Sequence, residues 1–152
     1  MIAVIFNPSA RGDKAQGLRA QLDRLGRDVE LLPTSGPGDA TRLALDAGLR
    51  GIETVVAAGG DGTVNEVVNG LACVPFGCRP RLGVLPLGTI NVFAKEIGLG
   101  SGVSENWATI QANRVRTIDL AVATHPGGDR WFIQMAGAGL DAAAIARVQW
   151  KL

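Results

Sequence analysis

Residues 54–71, TVVAAGGDGTVNEVVNGL, limit what this chain can fold into more than any other stretch. Val55, Val56, Ala57 and Ala58 form a run of small and β-branched apolar residues that stops at Gly59-Gly60. Beyond Asp61 and Gly62, Val64, Val67, Val68 and Leu71 recur at i, i+3, i+4 and i+7, one apolar face of a helix. The predicted order is therefore buried strand, glycine turn and helix, with a carboxylate in the turn. The first N–H groups of such a helix lack intrahelical acceptors and sit at the positive end of its dipole, which suits a phosphate. Asp61 beside phosphates would be repulsive without a cation between them, which points to Mg²⁺ carried in with a nucleotide. The alternative is a tight strand-to-helix connection whose glycines only supply positive φ.

The rest of the chain repeats this grammar. Ile2–Phe6 reads as a buried first strand running into the polar turn Asn7-Pro8-Ser9-Ala10-Arg11-Gly12. Leu18, Leu22 and Leu25 have helical spacing, with Gly26 closing that helix. Val29–Leu32 is a second strand ending at Pro33-Thr34-Ser35-Gly36. Asp39 is the predicted N-cap of a helix that buries Ala40, Leu43, Ala44 and Ala47 and stops at Gly48. After a loop over 73–81, Leu82–Leu85 is a strand stopped by Pro86-Leu87-Gly88-Thr89. Asn91 is the expected cap of a helix with Phe93 and Ile97 inward, and a last helix covers Ser104 to Gln111. Strands alternating with helices give a parallel sheet covered on both faces. Ligands of such sheets bind beyond the strands' C-terminal ends, where NPSARG, PTSGPGD, GGDGT and PLGTIN all fall.

Near Arg114 the pattern changes. Ile118, Leu120 and Val122 alternate with Thr117, Asp119 and Ala121, HPGGD supplies a turn, and Trp131–Met135 returns, an expected antiparallel hairpin. The expected division is 1–114 as an α/β lobe and 115–152 as the start of a β-rich second lobe that looks cut off, since a hairpin is too small to be a domain. Asp119 and Asp141 read as structural carboxylates, and His125 as a solvated turn residue.

Composition removes several function classes. A net charge of +1 and scattered basic residues without aromatic interleaving argue against a nucleic-acid partner. No apolar run reaches membrane-spanning length and Met1 leads straight into a strand, so a cytoplasmic chain is expected. Cys73, Cys78 and the single His125 fall short of a zinc ligand set and read as reduced thiols and a lone imidazole. A dinucleotide dehydrogenase would carry G-x-G-x-x-G after its first strand, and NPSARG does not supply it.

Taken in order, NPSARG, GGDGTVNEVVNG and PLGTINVFAKEIGL resemble the diacylglycerol kinase catalytic-domain family over essentially the whole chain. Bacterial lipid kinases and sphingosine kinases belong to that family; NAD kinases and phosphofructokinases share GGDG more distantly. The resemblance implies a Rossmann-like three-layer parallel sheet and a β-rich second lobe. It also implies ATP and Mg²⁺ as cofactors and transfer of the γ-phosphate to a lipid hydroxyl. The acceptor would be a diacylglycerol-like alcohol met at a membrane surface through the second lobe, with peripheral membrane association. The family's nucleotide contacts carry over to Asn7, Pro8, Ser9, Ala10, Arg11, Thr34, Gly60, Asp61, Gly62, Thr63, Val64, Asn65, Glu66 and Thr89. Asp61 is implied as general base or as metal partner, both roles staying open. Many relatives read GTxNDFAR where this chain has Val92 in place of the acidic residue, which bears on acceptor contacts. The competing expectations are a nucleotide-binding or regulatory module without catalysis and an NAD kinase relative. Two further expectations concern chemistry and assembly: Gly60 and Gly62 serve backbone shape, and the hairpin leaves an apolar face that favours a homodimer.

Overall fold

The computed structural model describes residues 1–8, 20, 22 and 28–147. Four strands, β1 (Ile2–Phe6), β2 (Val29–Pro33), β3 (Thr54–Gly59) and β4 (Arg81–Pro86), form one parallel sheet in the order β2-β1-β3-β4. The apolar runs are continuous because both faces are covered, and strand alternation divides them into two cores. Ala3, Ile5, Val55, Ala57 and Val84 face α1 (Asp39–Leu49), α2 (Asp61–Ala72) and α3 (Val92–Glu96), with Ala44, Val67 and Phe93 in the same cluster. Val4, Phe6, Val56, Ala58 and Leu85 face the other way, onto Leu22 and onto Trp107 of α4 (Val103–Gln111). The three-layer α/β architecture expected from the sequence is thus present. The helix expected over Leu18–Leu25 lies outside the described residues except for Ala20 and Leu22, which are helical.

Helix boundaries depart from expectation in two places. Asp39 is the first helical residue of α1 and Gly38, at φ 82°, holds the cap position. The Asp39 carboxylate instead accepts from the Ser35 N–H (2.9 Å) and hydroxyl (3.0 Å), closing the preceding turn. Gly48 does not end α1; it is buried inside the helix, which runs to Leu49 and is followed by Gly51 at φ 77°. Gly70 of α2 lies against α1, where a methyl would collide with the Thr41 carbonyl. That close crossing of α1 and α2 is why small residues stand at both contact points.

The hairpin consists of β5 (Ala121–His125) and β6 (Gly128–Phe132), later in the first arm and earlier in the second than the alternation suggests. The two-residue connection Pro126-Gly127, with Gly128 at φ 113°, pairs His125 with Gly128 and so dictates the whole register. His125 is therefore a strand end, with Nδ1 accepting from the Gly127 N–H at 3.0 Å. Leu120, Trp131 and Ile133 pack half-buried against the core that contains α2, while every residue of β5 is exposed. Of the large apolar side chains between Val115 and Met135, Val115, Ile118, Val122 and Met135 stay exposed. The short α5 (Leu140–Ala146) follows.

Candidate active site

From β1 the chain moves first to β2 on one side and then to β3 on the other. This reversal leaves a crevice at the C-terminal ends of β1 and β3, the position where open α/β sheets bind ligands. The strand ends are level: Phe6 stands opposite Pro33 and Ala58, and Gly59 opposite Pro86. The turns that follow are joined by backbone bonds, Thr34 N–H to Phe6 O (2.9 Å) and Leu87 N–H to Gly59 O (3.0 Å).

The glycine turn is built around space and not around unusual dihedrals. Gly60 is extended (φ −90°, ψ −173°) and caps α2; neither it nor Gly62 has positive φ. The expectation of a special backbone shape is corrected accordingly. A methyl on Gly88 would strike the Gly60 Cα, and one on Gly60 would lie 3.3 Å from the Gly88 Cα. GGDGT and PLGTIN therefore touch backbone to backbone. A methyl on Gly59 would strike Thr63, whereas one on Gly62 would meet nothing within 4 Å. No side chain caps the start of α2. The N-terminus of a twelve-residue helix thus opens on clear space above Gly62, between two turns pressed together below it.

Asp61 ties the two turns together a second time. Its carboxylate accepts from Val92 N–H (Oδ2, 3.1 Å) and Phe93 N–H (Oδ1, 3.2 Å), so it caps α3 from across the crevice. Asn91, expected in that role, has the left-handed conformation (φ 52°, ψ 58°) and makes no cap bond. Its side-chain amide instead brackets Gly88, accepting from the N–H (2.9 Å) and donating to the carbonyl (2.8 Å). Asparagine suits both demands, since it tolerates this conformation and offers a donor and an acceptor.

Glu66 makes a similar link on the other side. Its Oε2 accepts from Ala40 N–H in the first turn of α1 (3.2 Å), and its carbonyl accepts from the Thr41 hydroxyl (3.0 Å). Beside it, Asp39 is held below the usual carboxylate range by the Ser35 N–H first and then by the Arg42 guanidinium, whose Nη2 lies 2.6 Å away. Among the described residues no group of three or more His, Cys, Asp and Glu could hold a metal. Any Mg²⁺ at this turn would have to share its shell with phosphate oxygens and water, which is how that ion is usually held. Asp61, the turn's own carboxylate, fits that arrangement. A hollow of about 400 Å³ between Thr54, Arg81, Trp107 and Asn113 lies at the opposite ends of the strands, away from all these turns.

Comparison with known proteins identifies the family of the chain. The signature of the diacylglycerol kinase catalytic domain matches residues 1–123. The chain belongs to that family. It is 37% identical over 141 residues to a diacylglycerol kinase of Bacillus subtilis (strain 168), covering 90% of this chain and 45% of that protein. It is 42% identical over 139 residues to a protein named as a YegS-like lipid kinase from Chromohalobacter salexigens, covering 91% and 43%. A crystal structure of a diacylglycerol kinase from Bacillus anthracis str. Sterne superposes with a TM-score of 0.68 at 31% identity, covering 84% of this chain and 44% of that one. The chain thus spans less than half the length of these relatives.

Of the residues to which this diacylglycerol kinase-family chain owes its expected nucleotide contacts, Asn7, Pro8, Thr34, Gly60–Glu66 and Thr89 follow the C-terminal ends of β1 to β4. Ser9, Ala10 and Arg11 lie outside the described residues. Val64 is buried and donates its N–H to Gly60 O (3.1 Å), so it supports the turn from beneath. Thr89 is exposed at the rim. Sequence reading missed the Gly88–Gly60 contact, the Asn91 clamp on Gly88 and the capping of α3 by Asp61, whose signal was present only as a glycine and an asparagine three residues apart in PLGTIN.

Proposed function

We propose that this chain is the nucleotide-binding part of an ATP-dependent lipid kinase. The observation that carries the reading is the uncapped start of α2 at the sheet's switch point, with Gly62 facing open space and Asp61 held beside it. Backbone N–H groups there suit the phosphates of ATP, and Mg²⁺ bound with them would reduce their repulsion from Asp61. Thr34 and Thr89, with Asn65 one turn into α2, are the proposed hydroxyl and amide contacts of the nucleotide. Kinship with diacylglycerol kinases and YegS-like lipid kinases supports a lipid alcohol as acceptor. No helix among the described residues is long and apolar enough to cross a membrane; the proposed lipid acceptor is met at a membrane surface.

What these residues supply is position and charge, the main currency of phosphoryl transfer. The acceptor hydroxyl oxygen would bond to the γ-phosphorus as the bond to ADP breaks, and its proton must pass to a base. Both Asp61 oxygens, Asp39 and one Glu66 oxygen already accept hydrogen bonds from the protein. These bonds support Asp61 as a positioning and cation-facing residue, with the base proposed to come from the second lobe that the resemblance implies. On that reading the isolated chain binds ATP weakly and phosphorylates no lipid. Titrating isotope-labelled protein with Mg·ATP tests it. Amide shifts should centre on Gly62, Thr63, Thr34 and Thr89, and a diacylglycerol phosphorylation assay should stay at background. Shifts confined to other residues would refute the nucleotide site, and robust turnover would refute the assignment of the base.

A further inference from the structure

α2 carries a second device, four residues along from the proposed nucleotide contact. Asn69 is only 6% exposed, and its side chain is fully engaged with backbone. Nδ2 donates to Trp131 O (2.8 Å) and to Asn65 O (2.9 Å), while Oδ1 accepts from Trp131 N–H (3.0 Å). In the hairpin, His125–Gly128 is the pair next to the turn, so counting outward makes Val122–Trp131 a pair whose N–H and C=O groups point away from the partner strand. Trp131 thus presents a donor and an acceptor on the open edge of β6, and the Asn69 amide completes both as a neighbouring strand would. Only a side chain with donor and acceptor together can do this, which excludes Asp and Leu despite their similar size. Asp61, Asn65 and Asn69 follow at four-residue intervals and so lie along one stripe of α2. Gln134 reinforces the docking by donating to Glu96 at 2.8 Å.

We propose that Asn69 is a positioning residue that locks the β5–β6 hairpin in register on the helix carrying the phosphate turn, so that hairpin docking and nucleotide occupancy are coupled. The coupling rests on the nucleotide reading above; the clasp itself does not. Reciprocity requires that ATP tighten the hairpin as much as the hairpin improves ATP binding.

Amide hydrogen exchange on the chain separates the two claims. Without nucleotide, Trp131 N–H and the Asn69 side-chain amide should be protected in the wild type. Asn69→Asp keeps the acceptor for Trp131 N–H but turns a second carboxylate oxygen onto Trp131 O, and that repulsion should open the clasp and speed Trp131 exchange by at least about tenfold. Trp131→Phe should preserve the clasp, because only backbone atoms take part. Val56 and Ala57 in the central strand report that the fold is intact. Trp131 exchange within about twofold of wild type in Asn69→Asp, judged against the usual worth of such a bond, would overturn the clasp. If that variant fails to fold, a freely exchanging side-chain amide in the wild type would overturn it equally. Mg·ATP should slow Trp131 exchange in wild type and not in Asn69→Asp. Equal slowing in both would overturn the coupling. Absence of any shift at Gly62 and Thr63 would overturn the nucleotide reading and the coupling with it, leaving the clasp to the nucleotide-free arm.

Discussion

Replacing Asp61 by Asn probes the bond that joins the two phosphate-side turns. The carboxylate accepts one N–H on each oxygen, from Val92 and from Phe93, across 31 and 32 residues of sequence. An Asn amide keeps one acceptor and turns an NH₂ group toward the other N–H, so one charge-assisted bond is lost and two donors face each other. Hydrogen bonds to charged groups contribute about 1.5–3 kcal/mol. The site is part-buried, so water can reach it and the loss belongs toward the lower end of that range. Local opening of α3 should therefore become roughly ten- to thirtyfold easier, at about 1.4 kcal/mol per decade. Exchange of the Val92 and Phe93 amides measures this, with Val67 in the buried middle of α2 as the internal reference. Asp61→Ala should free both amides, where Asp61→Asn frees one preferentially. If both amides in Asp61→Asn exchange within about twofold of wild type, the carboxylate does not carry the cap and the bond strength used here does not apply. The same variant separates capping from cation contact. Loss of the cap weakens metal-free ATP and Mg·ATP alike, and an additional loss confined to Mg·ATP reports the cation. Equal losses would leave Asp61 as a positioning residue alone.

Other outcomes follow from the same geometry. Gly88→Ala should destabilise the protein by about 1–3 kcal/mol in denaturant unfolding, because the new methyl strikes the Gly60 backbone; unchanged stability would show that the turns do not touch. Gly62→Ala should do the opposite to stability, leaving it equal or raising it by up to about 1 kcal/mol, since the position is helical with open space, yet it should weaken ATP binding measured by titration. Asp39 has its folded-state pKa depressed below 3.8 by Ser35 and Arg42. Its contribution to stability is therefore complete above the unfolded-state value and lost as pH falls below about 3.8 and through the folded value. Asp39→Asn should flatten the stability-versus-pH curve in that acid range, and a curve parallel to wild type would contradict the assignment.

What could be read from the sequence was local. Ile2–Phe6 and Val55–Ala58 declare buried strands because unbroken apolar runs have no solvent face to serve, and Val64, Val67, Val68 and Leu71 declare a helix through their spacing. The ordered motifs led to the right family, and the described parts of the four polar turns follow the C-terminal ends of the strands as expected. Local pattern misplaced Asp39 and Gly48, which lie inside the helix and not at its ends, whereas Asn91 holds the expected cap position but turns its side chain onto Gly88. The hairpin was legible in kind but shifted, since a two-residue turn decides register and alternation alone does not. The remaining features required tertiary structure. Asp61 reaches Val92, Glu66 reaches Ala40, Gly60 meets Gly88 and Asn69 closes on Trp131 only because the strand order brings distant turns together. A carboxylate in a glycine turn reads as chemistry in sequence; which N–H groups it faces depends on sheet order, and no local period encodes that.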